Sequence, residues 1–164
     1  MNEIVLLKLG EVVLKGLNRR SFEDKLMANI RRRIQHFGAF RVYSKQSTIY
    51  VEPQADGCDM DGAYAACKQV FGVIAVTRAR PCAKDKDAIL NCAKAYLDSE
   101  LRAAGSFKVE TKRADKLFPM TSMEISQYVG GLLHDASPQL AVDGHHPELC
   151  VHVEGREKAA YVHG

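Results

Sequence analysis

No apolar run in this chain approaches the roughly 20 residues that a bilayer-crossing helix needs, so the sequence offers no transmembrane segment and no membrane partner. Its opening, MNEIVLLKLGEVVLKG, has a brief apolar patch but carries Glu3 and no small-residue cleavage site, and it does not read as a signal peptide. The five cysteines (Cys58, Cys67, Cys82, Cys92 and Cys150) are odd in number, widely spaced and never arranged as Cys-x-x-Cys. That excludes a thioredoxin-like pair or zinc knuckle, argues against a disulfide framework, and fits a reducing, cytoplasmic setting. Most of these thiols read as small core residues. The signatures of catalysis are missing as well. There is no Gly-x-Ser-x-Gly, His-Glu-x-x-His or Gly-x-Gly-x-x-Gly, no P-loop, and no carboxylate pair at a convincing strand end, so no catalytic residue is assigned. Internal repeats and low-complexity segments are absent too.

Positive charge is present, and it is unevenly placed. The net charge over all 164 residues is +3. Residues 1–45 hold 10 Lys/Arg against 4 Asp/Glu, whereas residues 81–164 hold 10 against 12. Such asymmetry suits a surface that faces a polyanion, although a solvated helix face accounts for it equally well.

The pattern predicts an α+β chain of two domains, residues 1–80 and 81–164. In the first, strand 4–9 leads through a Gly10–Gly16 loop into a helix capped near Asn18 or by a Ser21-x-x-Asp24 box. Phe22, Leu26, Ile30, Ile34 and Phe37 recur every three or four residues and form its apolar face, with Gly38 as the stop. Strands 40–44 and 48–51 flank the polar turn Lys45-Gln46-Ser47. A helix opened by Asp59 or Asp61 and a strand at 73–78 follow. The order βαββαβ is that of a ferredoxin-like domain, with an antiparallel sheet and both helices on one face. Arg80-Pro81 breaks the pattern and predicts a linker. Beyond it come one long helix from Asp85 or Asp87 to Leu101, strand 106–111, helix 122–134, and strands 149–154 and 159–162.

Five groups of residues are candidates for function. Lys112 and Arg113 follow the fifth strand, and Lys116 and Phe118 precede a helix that begins at Thr121 or Ser122. Cations and an aromatic at a strand-to-helix junction suit a phosphate backbone, with Arg gripping bidentately and Phe stacking on a base or ribose. An ordinary turn in which Phe118 and Met120 cover the core explains the same residues. Lys15, Gly16, Arg19 and Arg20 form a second basic helix start, again with a structural turn as the alternative. Arg31-Arg32-Arg33 span roughly 200° of a helix, so they cannot all face one ligand. Cys150 and His152 share a strand face at i and i+2 near His145 and His146, but no second cluster completes a tetrahedron, so no metal site is assigned. Gly130-Gly131 reads as a site of close packing.

Two blocks carry a family resemblance. Leu9-Gly10-Glu11-Val12-x-Leu14-Lys15-Gly16-x-Asn18-Arg19-x-x-Phe22-Glu23-x-x-Leu26 resembles the opening of the ThiI-type tRNA 4-thiouridine synthases. Phe107-Lys108-Val109-x-Thr111-Lys112-Arg113-Ala114-Asp115-Lys116-x-Phe118-Pro119-x-x-Ser122-x-Glu124-Ile125 resembles their THUMP domain, and Val142-Asp143, Pro147-Glu148, Val151-x-Val153-Glu154-x-Arg156 and Ala160-Tyr161-Val162 continue it. Gly155 departs from the family's aliphatic residue and predicts a bulged or weak strand end.

The resemblance implies a ferredoxin-like domain followed by an α/β THUMP domain that together hold a tRNA by its acceptor stem and 3′ CCA end. The uridine at position 8 would then be adenylated and thiolated by a catalytic domain with a Ser-Gly-Gly-x-Asp-Ser loop. That loop does not occur in this sequence, which is therefore expected to be a fragment, inert by itself and without a cofactor. ATP and Mg belong to the complete ATP-dependent tRNA sulfurtransferase, with a homodimer and a cysteine desulfurase as its expected partners. Lys112, Arg113 and Lys116 are the expected phosphate contacts, Phe118 a stacking or shaping residue, and Lys15, Arg19 and Arg20 extend the surface. The alternatives are the RNA-binding half of another THUMP-containing enzyme, such as a methyltransferase, or a ferredoxin-like small-molecule or protein-interaction module.

Overall fold

A computed structural model describes residues 3–10, 19–70, 73–114 and 117–164, the side chain of Ile74 aside. The chain forms two compact units, Met1–Ala79 and Arg80–Gly164.

The first unit runs β1 (Ile4–Leu9), α1 (Arg19–Ile34), β2 (Phe40–Lys45), β3 (Thr48–Pro53), α2 (Met60–Cys67) and the opening of β4 (Val73–Cys82). Its strand order is β2-β3-β1-β4 with every neighbouring pair antiparallel, the ferredoxin-like arrangement. The three-to-four-residue apolar period of α1 buries Leu26, Ile30 and Ile34 against Val5, Leu7, Leu9, Ile49 and Val51 of the sheet. Cys67 and Ala63 of α2 join the same cluster. Ser21 lies inside α1, so the Ser21–Asp24 box expected at its start does not cap it, and Asn18 lies outside the described residues. Asp59 caps α2, its side chain accepting from the Gly62 N–H. Gly38 ends the short 3₁₀ turn Gln35–Phe37 with φ 136°, and a Cβ there would sit 2.6 Å from Cys58 Sγ. The β2–β3 turn places Gln46 and Ser47 at φ 49° and 66°, the left-handed geometry that matches the twist of a tight hairpin.

Where the sequence predicts a linker at Arg80-Pro81, β4 instead continues to Cys82. Arg80, Pro81 and Cys82 pair with Val162, Tyr161 and Ala160. The β1 ladder has ended at Ala79, so on that side proline removes no hydrogen bond.

The second unit continues with α3 (Lys86–Tyr96), α4 (Asp98–Ala103), β5 (Ser106–Arg113), α5 (Ser122–Ala136), β6 (Ala141–Val142), β7 (Leu149–Gly155) and β8 (Ala160–His163). The single long helix expected over this stretch is two. Leu97 turns the chain at φ −104° and ψ 21°, and Leu97 and Leu101 both reach the core. Strand order is β8-β7-β5-β6, with β5 parallel to both neighbours and β7 antiparallel to β8. Side chains of α3 and α5 (Ile89, Ala93, Ile125, Val129, Leu133) cover Phe107, Val151, Val153 and Val162. Gly155 is not bulged: it pairs in register with Arg113 and Ala160, and a Cβ there would meet the Phe118 ring at an ordinary 3.5 Å. Gly130 and Gly131 do not mark a close approach. A Cβ at Gly130 would meet only Val109, at 3.6 Å, and one at Gly131 nothing within 4 Å.

Candidate nucleic-acid interface

In the first unit the start of α1 faces β2 across a groove of about 610 Å³, lined by Arg19, Arg20, Arg31, Glu23, Asp24 and Tyr43 among others. Three guanidinium groups meet two carboxylates there, so the groove is cationic but partly compensated. Arg19 is tethered: its Nε lies 3.3 Å from Glu23 Oε1, and its guanidinium donates to Ser47 Oγ at 2.6 Å, bracing the β2–β3 turn. Arg20 is exposed at the rim. All three arginines of the triple are exposed, but Arg31 crosses to the sheet and donates to the Val42 carbonyl at 2.9 Å, whereas Arg33 donates to Asn29 Oδ1 on its own helix at 3.2 Å. The sequence alone gives no reason to single out Arg31 from the triple. Only the hairpin beside α1, which requires the folded sheet, brings it to Arg19 and Arg20. Lys15 lies outside the described residues.

In the second unit the junction differs from the turn that the sequence suggests. β5 runs through Lys112 and Arg113, which pair with Glu154 and Gly155, and the Ala114 N–H extends the ladder to the Gly155 carbonyl at 2.8 Å. Successive strand residues point to opposite faces, so the two cations diverge. Thr111 and Arg113 turn toward α5: Thr111 Oγ1 is 2.8 Å from Ser126 Oγ, and Arg113 Nη1 donates to the carbonyls of Phe118 (3.3 Å) and Met120 (3.1 Å). Arg113 is thus a clamp on the chain entering α5. Lys112 is exposed on the other face, beside Lys108, Glu110 and His152.

Phe118 is only 4% exposed and belongs to the core, with the Lys84 ammonium 5.8 Å from its ring centre. Buried to that extent, the ring does not present a face to solvent on which a base could stack. Lys116 lies outside the described residues. The helix start is well made. Thr121 accepts from the Glu124 N–H, and Glu124 accepts in return from the Thr121 N–H, a reciprocal box that also holds the Glu124 carboxyl below its ordinary range.

On the face turned from the helices, Lys108 Nζ sits 2.7 Å from Glu110 Oε1, which lowers the carboxyl and raises the ammonium. Burial pushes the Cys150 thiol up, with the Glu110 charge adding to it. His152 stacks on His163 at 4.7 Å, and burial and that neighbour lower its proton affinity. His145 and His146 stand apart in a turn whose backbone N–H groups donate to Asp143 Oδ1.

Residues 4–77 match the ThiI ferredoxin-like domain and residues 83–163 the THUMP domain. A protein of Acetivibrio thermocellus named probable tRNA sulfurtransferase is 40% identical over 159 residues, covering 96% of this chain and 41% of the relative. One of the same name from Alkaliphilus oremlandii is 39% identical over 162 residues, with 97% and 41% covered. The chain thus spans about two fifths of the length of these curated relatives. The solved structure of a 4-thiouridine synthetase–RNA complex with bound ATP superposes with a TM-score of 0.82 at 22% identity, over 99% of this chain and 41% of that one, and so shares the fold. The chain belongs to the ThiI-type tRNA sulfurtransferase family and carries its ferredoxin-like and THUMP domains.

Proposed function

We propose that this chain holds tRNA, by its acceptor stem and 3′ CCA end, for thiolation of the uridine at position 8. The observation that carries the reading is the 40% identity, over 96% of the chain, to a protein named probable tRNA sulfurtransferase. An RNA complex also stands among the structures that share its fold. Side chains read A-form RNA through shape, phosphate and 2′-OH, which suits cations on scaffolded elements rather than a closed pocket.

In this reading Arg20 and Lys112 make phosphate contacts. Arg19 and Arg31 supply field while bracing the groove. Arg113 and Phe118 hold the entry to α5 in shape. Lys15 and Lys116 add charge from the same sequence blocks. The complete enzyme, in this proposal, works in the cytoplasm as a homodimer, uses ATP and Mg, and receives sulfur from a cysteine desulfurase. None of the present residues is assigned a chemical step. A gel shift with an acceptor-stem minihelix, with and without its CCA end, tests the proposal. Tighter binding with the CCA end supports it, and equal weak binding to any RNA of that length sinks it.

A further inference from the structure

The sheet face turned away from α3 and α5 carries a cluster that the sequence leaves incomplete. Cys150 and His152 stand two residues apart on β7. The parallel register Lys108↔Cys150 and Glu110↔His152 brings Glu110 from β5 alongside them. One ligand atom from each of Glu110, Cys150 and His152 lies within 4.8 Å of the other two, the one such trio of His, Cys, Asp or Glu among the described residues. Glu110 divides its carboxylate: Oε1 takes the Lys108 ammonium at 2.7 Å, and Oε2 faces His152 Nδ1 at 3.8 Å. We propose that Glu110, Cys150 and His152 form a binding site for a divalent transition-metal ion of the zinc class, with a fourth position open to water or another ligand.

The donor set selects the ion. Thiolate, imidazole and carboxylate together suit zinc and its neighbours, whereas magnesium and calcium require oxygen throughout. Zinc–donor bonds of about 2.0–2.3 Å place tetrahedral donors roughly 3.3–3.8 Å apart. The trio therefore closes through side-chain torsions alone, with the two strands as a rigid base. All three side chains are half-buried or partly exposed, which leaves an entry path. The surroundings orient the ligands. His163 stacks on His152 and is itself bonded to Glu154 at 2.9 Å, and Lys108 fixes the carboxylate. The Lys108 charge opposes a cation, so affinity stays below that of a site without it.

Cobalt(II) titration of the 164-residue chain tests this, because cobalt takes zinc's geometry and reports thiolate ligation by a near-ultraviolet charge-transfer band. The expected result is a band that saturates at about one equivalent, is displaced by zinc and resists magnesium excess. Cys150→Ser removes it. Glu110→Gln and His152→Ala each weaken binding by more than about tenfold, a cost typical of losing even an outlying partner. Cys58→Ser, which alters the other partly exposed thiol, leaves the band intact. No band in the unaltered chain, or one that survives Cys150→Ser, overturns the proposal. Glu110→Gln at a partly exposed position supplies a folded variant should Cys150→Ser misfold, and an undiminished cobalt affinity in it is equally fatal.

Discussion

Arg113 and Lys112 are adjacent cations with opposite duties, and alanine at each separates them. Arg113 Nη1 holds two carbonyls, at 3.3 and 3.1 Å, across the chain that enters α5. A hydrogen bond to a charged group contributes about 1.5–3 kcal/mol. The longer of the two lies at the edge of useful geometry, so the pair counts as about one full bond, or ~2 kcal/mol. For a unit the size of Arg80–Gly164, each kcal/mol moves Tm by about 4–8 °C, so Arg113→Ala should lower Tm by roughly 8–16 °C. Lys112 is exposed, and surface substitutions of that kind stay within about 0.5 kcal/mol. Lys112→Ala should therefore melt within about 4 °C of the parent while reducing the salt slope of RNA binding by about 1. Scanning calorimetry and salt-titrated filter binding on both variants give the answer. An Arg113→Ala chain that melts like the parent yet loses RNA would refute the clamp and make Arg113 a direct contact.

Three further outcomes can be checked. Gly131 sits inside α5 with open space where a Cβ would go, so Gly131→Ala should stabilise the chain by about 0.5–1 kcal/mol in urea unfolding; a loss of stability would show that the site needs glycine. Gly38→Ala combines φ 136° with a Cβ 2.6 Å from Cys58 Sγ, and should cost about 1–3 kcal/mol, with Cys58→Gly recovering only the steric part. The Glu124 carboxyl is held low by the Thr121 N–H, so its contribution is present above the ordinary carboxylate pKa and is lost as pH falls through the lowered value. Glu124→Gln should therefore be less stable than the parent near pH ~6, and the difference should shrink as pH falls below the ordinary carboxylate range; a difference that stays constant on acidification contradicts the assignment.

Residues that repeat with a clear period were legible. Leu26, Ile30 and Ile34 recur every four positions and are buried as that spacing requires, and the strand–helix alternation around them gives the ferredoxin-like order. What stayed hidden depends on partners distant in sequence. Lys112-Arg113 resembles a turn, yet β7 supplies a ladder that carries the strand through both residues and so sends them to opposite faces. Pro81 resembles a break, yet a strand paired on one side tolerates it. Two-residue β6 exists because Ser106 and Phe107 offer an edge. The same holds for the sites. Cys150 and His152 share a strand and could be paired by spacing, whereas Glu110 reaches them only through the β5–β7 register. Phe118 could be an exposed stacker or a core residue by sequence alone, and its packing in the cluster with Ile125, Val129 and Val153, distant in sequence or on another element, puts it in the core.

Whether cations on these two domains hold an RNA stem is read out by the salt dependence of minihelix binding. With about three phosphates neutralised, log K should fall against log salt with a slope near −2 to −3, and the CCA-bearing minihelix should bind more tightly throughout. An affinity unchanged between low and high salt, with no preference for the CCA end, would contradict it.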